Sequence, residues 1–372
     1  SSDLVKASEN SGPSDNRNRA HAGQSFEDLK TKHMTDTNLD WKNLSFGYIR
    51  TDFNIRSYFR DGAWTKPELT SDETVTMHMA ATALHYGQEA FEGQKAFRGA
   101  DGKIRVFRID ENAKRLRASA DYLKMAMPPV ELFTDMVRQV VRANERFVPP
   151  YGTGASLYIR PVLFGTGPQV GVKPASEYLL IVFVTPVGPY YKEGFNPIRV
   201  IIDRDHDRAA PLGTGHIKAG GNYGASLTSA EIGHEKGYPS VLYLDAKEKK
   251  HIDECGAANF FAIRDGRYIT PKSHSVLPSI TNMSLMTLAA EMGLQVEQRV
   301  VDYDELGTFD EAGSCGTAAV ISPIGSIYDP ENGRTFAYND GKPGPWCEKL
   351  YHKLRAIQYG EEPDTHGWMT VL

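Results

Sequence analysis

GTGHIKAGGNYGAS, residues 213–226, sets one lysine, Lys218, between Gly213/Gly215 and Gly220/Gly221, just ahead of an amphipathic stretch. Glycines there let the backbone approach a flat ligand, or simply turn. A lone loop lysine is ordinarily a solvated charge. The stretch is not a P-loop, which needs Gly-Lys-Ser/Thr at the end of its spacing, nor the G-x-G-x-x-G that opens a dinucleotide-binding helix. ATP- and NAD-dependent chemistry therefore has no phosphate fingerprint here, and Lys218 is left as a weak hint of another kind of site.

The surrounding chain is that of a globular protein. Its 372 residues are 40% hydrophobic and 24% charged, enough for two domains, and a net charge of −5 gives no basic field for nucleic acid. No apolar run approaches the roughly 18 residues needed to span a bilayer. Cys255, Cys315 and Cys347 are too few and too scattered for a disulfide framework or a zinc cluster, which favours a reducing compartment and a cytoplasmic location. No metal site is expected. Residues 1–33 are polar and aperiodic, with His33-Met34 resembling a junction, and are read as a disordered leader or tag.

From residue 34 onward the pattern is mixed. VTMHM (75–79) and IRVF (104–107) read as strands, with GADG (99–102) as a hairpin turn. Asp110 is positioned to cap a helix through ENAKRLRASADYLKM, whose Ala113, Leu116, Ala120 and Leu123 share a face. A second helix, ELFTDMVRQVVRANERF, follows Pro128-Pro129, and then two strands, ASLYIRPVLFG and EYLLIVFVTPV. The Gly- and Pro-rich segment 188–197 reads as a boundary between a smaller domain, 34–187, and a larger one, 198–372. The second half offers strand IRVIID, the lysine loop, helix NYGASLTSAEIGHEKG, strand VLYLD, a hairpin at Asp265-Gly266 and helix ITNMSLMTLAAEMG. Strands and helices interleave without strict alternation, which predicts an α+β fold with mixed sheets.

Eight segments in order then carry a resemblance. GHIKAGGNYGAS, LHYGQEAFEGQKAFR (84–98), VFRIDENAKRL (106–116), SLYIRPVLFGT (156–166), HIDECGAANFF (251–261), VLPSITNMSL (276–285), SCGTAAVISPI (314–324) and DTHGW (364–368) resemble the branched-chain-amino-acid aminotransferases. These are fold-type IV, class IV enzymes dependent on pyridoxal 5′-phosphate (PLP). The resemblance covers about Phe46 to the C-terminus. It implies two domains of mixed sheets and flanking helices, with an active site at their interface, and a homodimer.

The resemblance assigns Lys218 as the catalytic residue, binding the cofactor as a Schiff base and carrying a proton between substrate and cofactor. Glu254 would hold the pyridine nitrogen protonated, and Tyr223 would hydrogen-bond the 3′-oxygen. Arg108, Leu277, Ile280, Thr281 and Thr317 complete the implied cofactor site, with the phosphate at a helix N-terminus. Without the resemblance, Glu254 reads as a surface carboxylate on a charged hairpin, Tyr223 as a half-buried core tyrosine, and Thr281 as an ordinary helix cap.

For substrate, the resemblance implies Phe91, Tyr158 and Lys95, with Tyr86 reaching in from the partner subunit. Thr317 and Ala318 would bind the α-carboxylate, and Arg160 would help accept glutamate. Arg160 has a plainer reading as half of a buried ion pair. The implied reaction moves an amino group reversibly, by a ping-pong route, between leucine, isoleucine or valine and 2-oxoglutarate. Four positions depart from the pattern: Ala319 and Ser322 replace the Cys-x-x-Cys pair of vertebrate members, Ala257 stands where some members have threonine, and Ser279 where glycine is frequent. The rivals are another class IV enzyme, such as a D-amino-acid aminotransferase or an aminodeoxychorismate lyase, and a non-catalytic small-molecule-binding protein on the same fold.

Overall fold

The computed structural model describes residues 37–188 and 195–372; the whole of the expected leader, 1–33, and the centre of the boundary segment, 189–194, lie outside the described residues. Among the described residues, eighteen strands, numbered in chain order, make two sheets. The first contains β1 (Asn54–Arg60), β2 (Ala63–Trp64), β3 (Glu68–Thr70), β4 (Glu89–Phe91), β5 (Gln94–Arg98), β6 (Ile104–Phe107), β7 (Ser156–Gly165), β8 (Tyr178–Val187) and the late β18 (Met369–Val371). Its order is β18-β6-β5-β7-β8-β1-β2, with β3 on β1 and β4 on β7. The spine is the antiparallel pair β7–β8, in register from Ser156↔Val187 to Gly165↔Tyr178. Both are β-branched and apolar runs, and β8 is buried along nearly its whole length.

The second sheet contains β9 (Ile198–Asp203), β10 (Ser240–Leu244), β11 (Ile252–Cys255), β12 (Ala258–Arg264), β13 (Arg267–Pro271), β14 (Gln295–Arg299), β15 (Glu311–Gly316), β16 (Val320–Asp329) and β17 (Arg334–Ala337). It is mixed: β9 runs parallel to β10 and β16, and β13 parallel to β14. Strand β11 pairs with both β10 and β12, so part of the sheet closes on itself. Apolar side chains from these strands, among them Val200, Leu242, Ile252, Phe260, Ile269 and Ile327, form one core cluster.

Helices follow from apolar spacing. In Val130–Ala143, Phe133, Met136, Val137, Val140 and Val141 are all buried on one face, and Pro129 precedes the first turn. That helix and Ile109–Tyr122 pack on the first sheet. Helices Ile280–Glu291 and Pro345–Tyr359 contribute to a cluster that also takes Phe97, Phe107 and Trp368 from the first sheet and its C-terminal extension. This shared core places the start of helix Ile280–Glu291 against the first sheet.

Several local expectations change. VTMHM forms no strand and runs into a turn at Met79, which is 87% exposed: its alternation finds no neighbouring strand to bond. Asp110 lies inside its helix, which starts at Ile109 with Arg108 as the N-cap residue, and its carboxylate accepts from Lys114 instead. The helix expected through 222–237 breaks at Ser226 into Gly220–Ala225 and Leu227–Glu235. Ser279, not Thr281, caps helix Ile280–Glu291, its hydroxyl accepting from the Asn282 N–H at 3.2 Å. The hairpin at Asp265-Gly266 is as expected, both residues having positive φ (49° and 72°).

Phe260 is fully buried between the strands of the second sheet. Phe260→Ala should lower unfolding free energy by about 3–5 kcal/mol in denaturant titration, through lost burial and the cavity left behind.

Candidate active site

Lys218 is fixed by its neighbours on both sides. Its N–H donates to Ser119 Oγ (3.0 Å), and its carbonyl accepts from the Phe91 N–H (3.1 Å), while Ala219 bridges to Ala90 of β4. The glycines permit these approaches. A Cβ on Gly220 would lie 1.4 Å from Glu89 Oε1, and one on Gly215 would lie 2.4 Å from the Ser275 carbonyl oxygen. Close contact of chain with chain is what they allow.

The side chain turns toward Tyr223, donating from Nζ to its hydroxyl at 2.7 Å, and Nζ lies 4.8 Å from the ring centres of both Phe91 and Tyr223. Burial lowers the lysine pKa to about 8, with the Arg115 guanidinium adding to the effect. Burial likewise pushes the Tyr223 phenol up to about 12, helped by Glu254. A neutral amine and a neutral phenol therefore coexist near pH 8.

Glu254, on β11, is not the surface carboxylate of the plainer reading: it is 2% exposed. Oε2 accepts from Arg208 Nε (3.0 Å); Oε1 accepts from Asn259 Nδ2 (3.2 Å) and from the Leu277 N–H. Burial raises its pKa, and the Arg208 charge opposes that most strongly. Arg208 and Asn259 were invisible in the sequence, because Arg208 lies 46 residues from its partner in an irregular loop.

The anion-binding end lies where helix Ile280–Glu291 begins. Ile280 and Thr281 are buried at positions whose N–H groups a helix leaves without an internal partner. Arg108 sits opposite in a left-handed conformation (φ 45°), rare for a non-glycine residue. Its N–H donates to the Trp368 carbonyl (2.7 Å), its guanidinium lies over the Trp368 ring, and Nη1 donates to Ser284 Oγ (2.9 Å) in the same helix. Thr317 and Ala318 form the turn between β15 and β16, completed by Val320 at φ 66°. Lys95 Nζ donates to the Ala318 carbonyl at 2.6 Å, and burial lowers its pKa to about 7. Lys95, Ile280, Thr281 and Thr317 line a common cavity.

Phe91, Tyr158 and Arg160 form a second group at the lysine. The Arg160 guanidinium lies 4.8 Å from the Phe91 ring centre, its Nη2 donates to the Tyr158 hydroxyl (3.0 Å), and buried Nε has no partner. Among the described residues it makes no ion pair, which removes the structural-pair reading. Tyr86 stands apart from this cluster: its hydroxyl bonds the Val170 carbonyl and the residue is 39% exposed.

The reading of the sequence also missed Glu92 and Arg115. Glu92, fully buried, accepts both Arg115 Nε and Nη2 at 2.8 Å, and Asn112 Nδ2 at 2.7 Å. Arg115 Nη1 donates to the Pro278 carbonyl (2.8 Å), next to the helix cap. The i, i+3 spacing of Asn112 and Arg115 was the available signal. Arg115→Met leaves a buried carboxylate uncompensated and should cost about 3–5 kcal/mol in denaturant unfolding, with Glu92→Met/Arg115→Met recovering much of it.

The family described as amino-transferase class IV matches residues 89–327. A branched-chain-amino-acid aminotransferase of Haemophilus influenzae is 46% identical over 342 residues, covering 90% of this chain and 99% of its own. One from Helicobacter pylori is 47% identical over 335 residues, covering 89% and 97%. Among solved structures, the branched-chain amino acid aminotransferase of Escherichia coli superposes with a TM-score of 0.74 at 29% identity, covering 86% of this chain and 98% of that one. The Thermobaculum terrenum enzyme in its PLP form gives 0.72 at 25% identity, with coverages of 87% and 98%. With this agreement of fold, lysine loop and buried carboxylate, the chain belongs to the class IV aminotransferases, in the branched-chain-amino-acid aminotransferase family.

Proposed function

We propose that this protein transfers amino groups reversibly between leucine, isoleucine or valine and 2-oxoglutarate, with PLP as cofactor and Lys218 as its point of attachment. The observation that carries the proposal is the Lys218–Tyr223 contact at 2.7 Å, with the amine's pKa lowered to about 8, beside buried Glu254. The donor set fits the cofactor: an amine, a phenol, a carboxylate held by three donors, and an anion site formed by Arg108 and a helix start. When bound, PLP supplies an aldehyde that takes up the amino group and a protonated ring that delocalises electrons left at Cα.

The chain's own groups do the rest. Lys218 Nζ, neutral above its lowered pKa, would take the proton from the substrate Cα and pass it to the cofactor carbon that carried the aldehyde. Tyr223 orients that amine. Glu254 keeps a proton on the ring nitrogen, and Arg208, Asn259 and the Leu277 N–H keep Glu254 in place. Arg108, with the N–H groups of Ile280 and Thr281 and the Thr317 hydroxyl, would bind the phosphate. Phe91 and Tyr158 offer an apolar wall to a branched side chain. Arg160, with Nε unpaired, offers a donor to glutamate's second carboxylate. The Thr317–Ala318 turn, secured by Lys95, would bind the α-carboxylate.

We place the protein in the cytoplasm as a homodimer of two-domain subunits, the two sheets being the domain cores. Met79, Leu84, Val170 and Val172 are large, exposed apolar side chains on two adjoining segments that also carry Tyr86. Such a patch suits burial against a second copy, which would bring Tyr86 to the partner's site. The buried thiols Cys255, Cys315 and Cys347 are unpaired, and burial raises the pKa of each, as suits a reducing compartment.

Three measurements test the proposal. L-Leucine with 2-oxoglutarate should react at least ~100-fold faster than D-alanine, and the reverse order would assign the chain to another class IV activity. The rate at which apoprotein combines with PLP should rise with pH and level off above about pH 8, because the reactive amine is the neutral one and its pKa is lowered from 10.5 to about 8. Borohydride reduction of the holoprotein should leave the label on Lys218, and a label elsewhere would end the proposal.

A further inference from the structure

Gln94 follows Gly93 in β5 and is 2% exposed, yet neither Nε2 nor Oε1 has a hydrogen-bond partner. A primary amide has two N–H donors and an oxygen with two lone pairs. Burying such a group unpaired costs several kcal/mol by transfer measurements, so an orphan amide in a native interior marks a partner still to arrive. Its surroundings indicate which partner. Gln94 lines the same cavity as Ile280, Thr281 and Thr317.

Three other polar side chains of that cavity are already engaged, among them Gln358, whose Oε1 accepts from Arg355 Nη1 at 3.4 Å. Asn112 donates to Glu92 Oε2 and to the Gly93 carbonyl, and Lys95 donates to the Ala318 carbonyl. A site of unpaired helix N–H groups and a hydroxyl accepts an anion. A neutral amide adds a directed donor there without adding charge.

We propose that the side-chain amide of Gln94 is a ligand of the cofactor's phosphate, donating from Nε2 in the cavity it shares with Thr281 and Thr317. The assignment rests on the PLP reading above. It makes the phosphate site extend onto a strand of the first sheet, so that the cofactor's phosphate joins the two sheets as well as anchoring the ring.

The test compares PLP with pyridoxal, which lacks the phosphate, by titrating wild-type, Gln94→Met and Gln94→Glu apoproteins. Gln94→Met should raise the Kd for PLP about 10- to 100-fold, the range for losing a hydrogen bond to a charged group, while leaving the Kd for pyridoxal unchanged. Gln94→Glu should weaken PLP further, because a carboxylate faces a dianion. Thermal unfolding of Gln94→Met apoprotein should be no lower than wild type, since the orphan amide is gone. The phosphorus-31 resonance of holo Gln94→Met should be displaced from that of wild type. A Gln94→Met protein with the wild-type ratio of the two Kd values and the wild-type resonance overturns the assignment alone. A wild-type chain that takes up no PLP overturns the proposed function, and this inference with it.

Discussion

The Glu92–Arg115 pair is the constraint on which the site's geometry depends. Glu92 follows the strand that holds the Lys218 backbone, and Arg115 reaches from its helix to the Pro278 carbonyl, just ahead of the helix that begins at Ile280. One buried bidentate contact thus ties three segments distant in sequence: the strand beside the lysine, the helix Ile109–Tyr122, and the loop leading to the anion site. A displacement of any one would misplace the others, because buried ions tolerate little loss of geometry. Arg115 also adds its charge to the forces that keep the Lys218 amine neutral. Glu92 pulls the other way, so the pair sets position while burial does most to set protonation.

Charges in the site are arranged in opposed pairs. Glu254 is held by Arg208 and Glu92 by Arg115, so two carboxylates are buried close to the lysine without leaving net negative charge there. An unbalanced carboxylate would draw the lysine toward its charged form; burial and the Arg115 guanidinium work against it. Lys95 shows the same economy. Its amine is buried, its pKa is lowered to about 7, and it donates to a single carbonyl at the turn between β15 and β16.

What was legible in the sequence was local. Lys218 and Tyr223 are five residues apart on one short loop and helix, and the structure joins them directly. The long apolar runs of β7 and β8 and the single apolar face of Val130–Ala143 fixed those elements, since periodicity encodes burial on one side. The segment 75–79 carried the same alternation and formed no strand, because pairing needs a neighbour that the segment itself cannot encode. The cap at Ser279 is one that local preference itself favours, a serine whose hydroxyl accepts from the third N–H of the helix, while the break at Ser226 has no adjoining proline or glycine to mark it. Arg208, Glu92 and Gln94 were silent for another reason: each matters through a partner, or the want of one, that only folding reveals.

Strand β18 closes the edge of the first sheet against β6, and the carbonyl of Trp368 receives the Arg108 N–H. During synthesis, Arg108 thus emerges some 260 residues before the tryptophan that locks it in its left-handed conformation. Everything through Trp368 must be made before this arginine can be set in place, so the anion site is completed only after every strand before β18 has been synthesised.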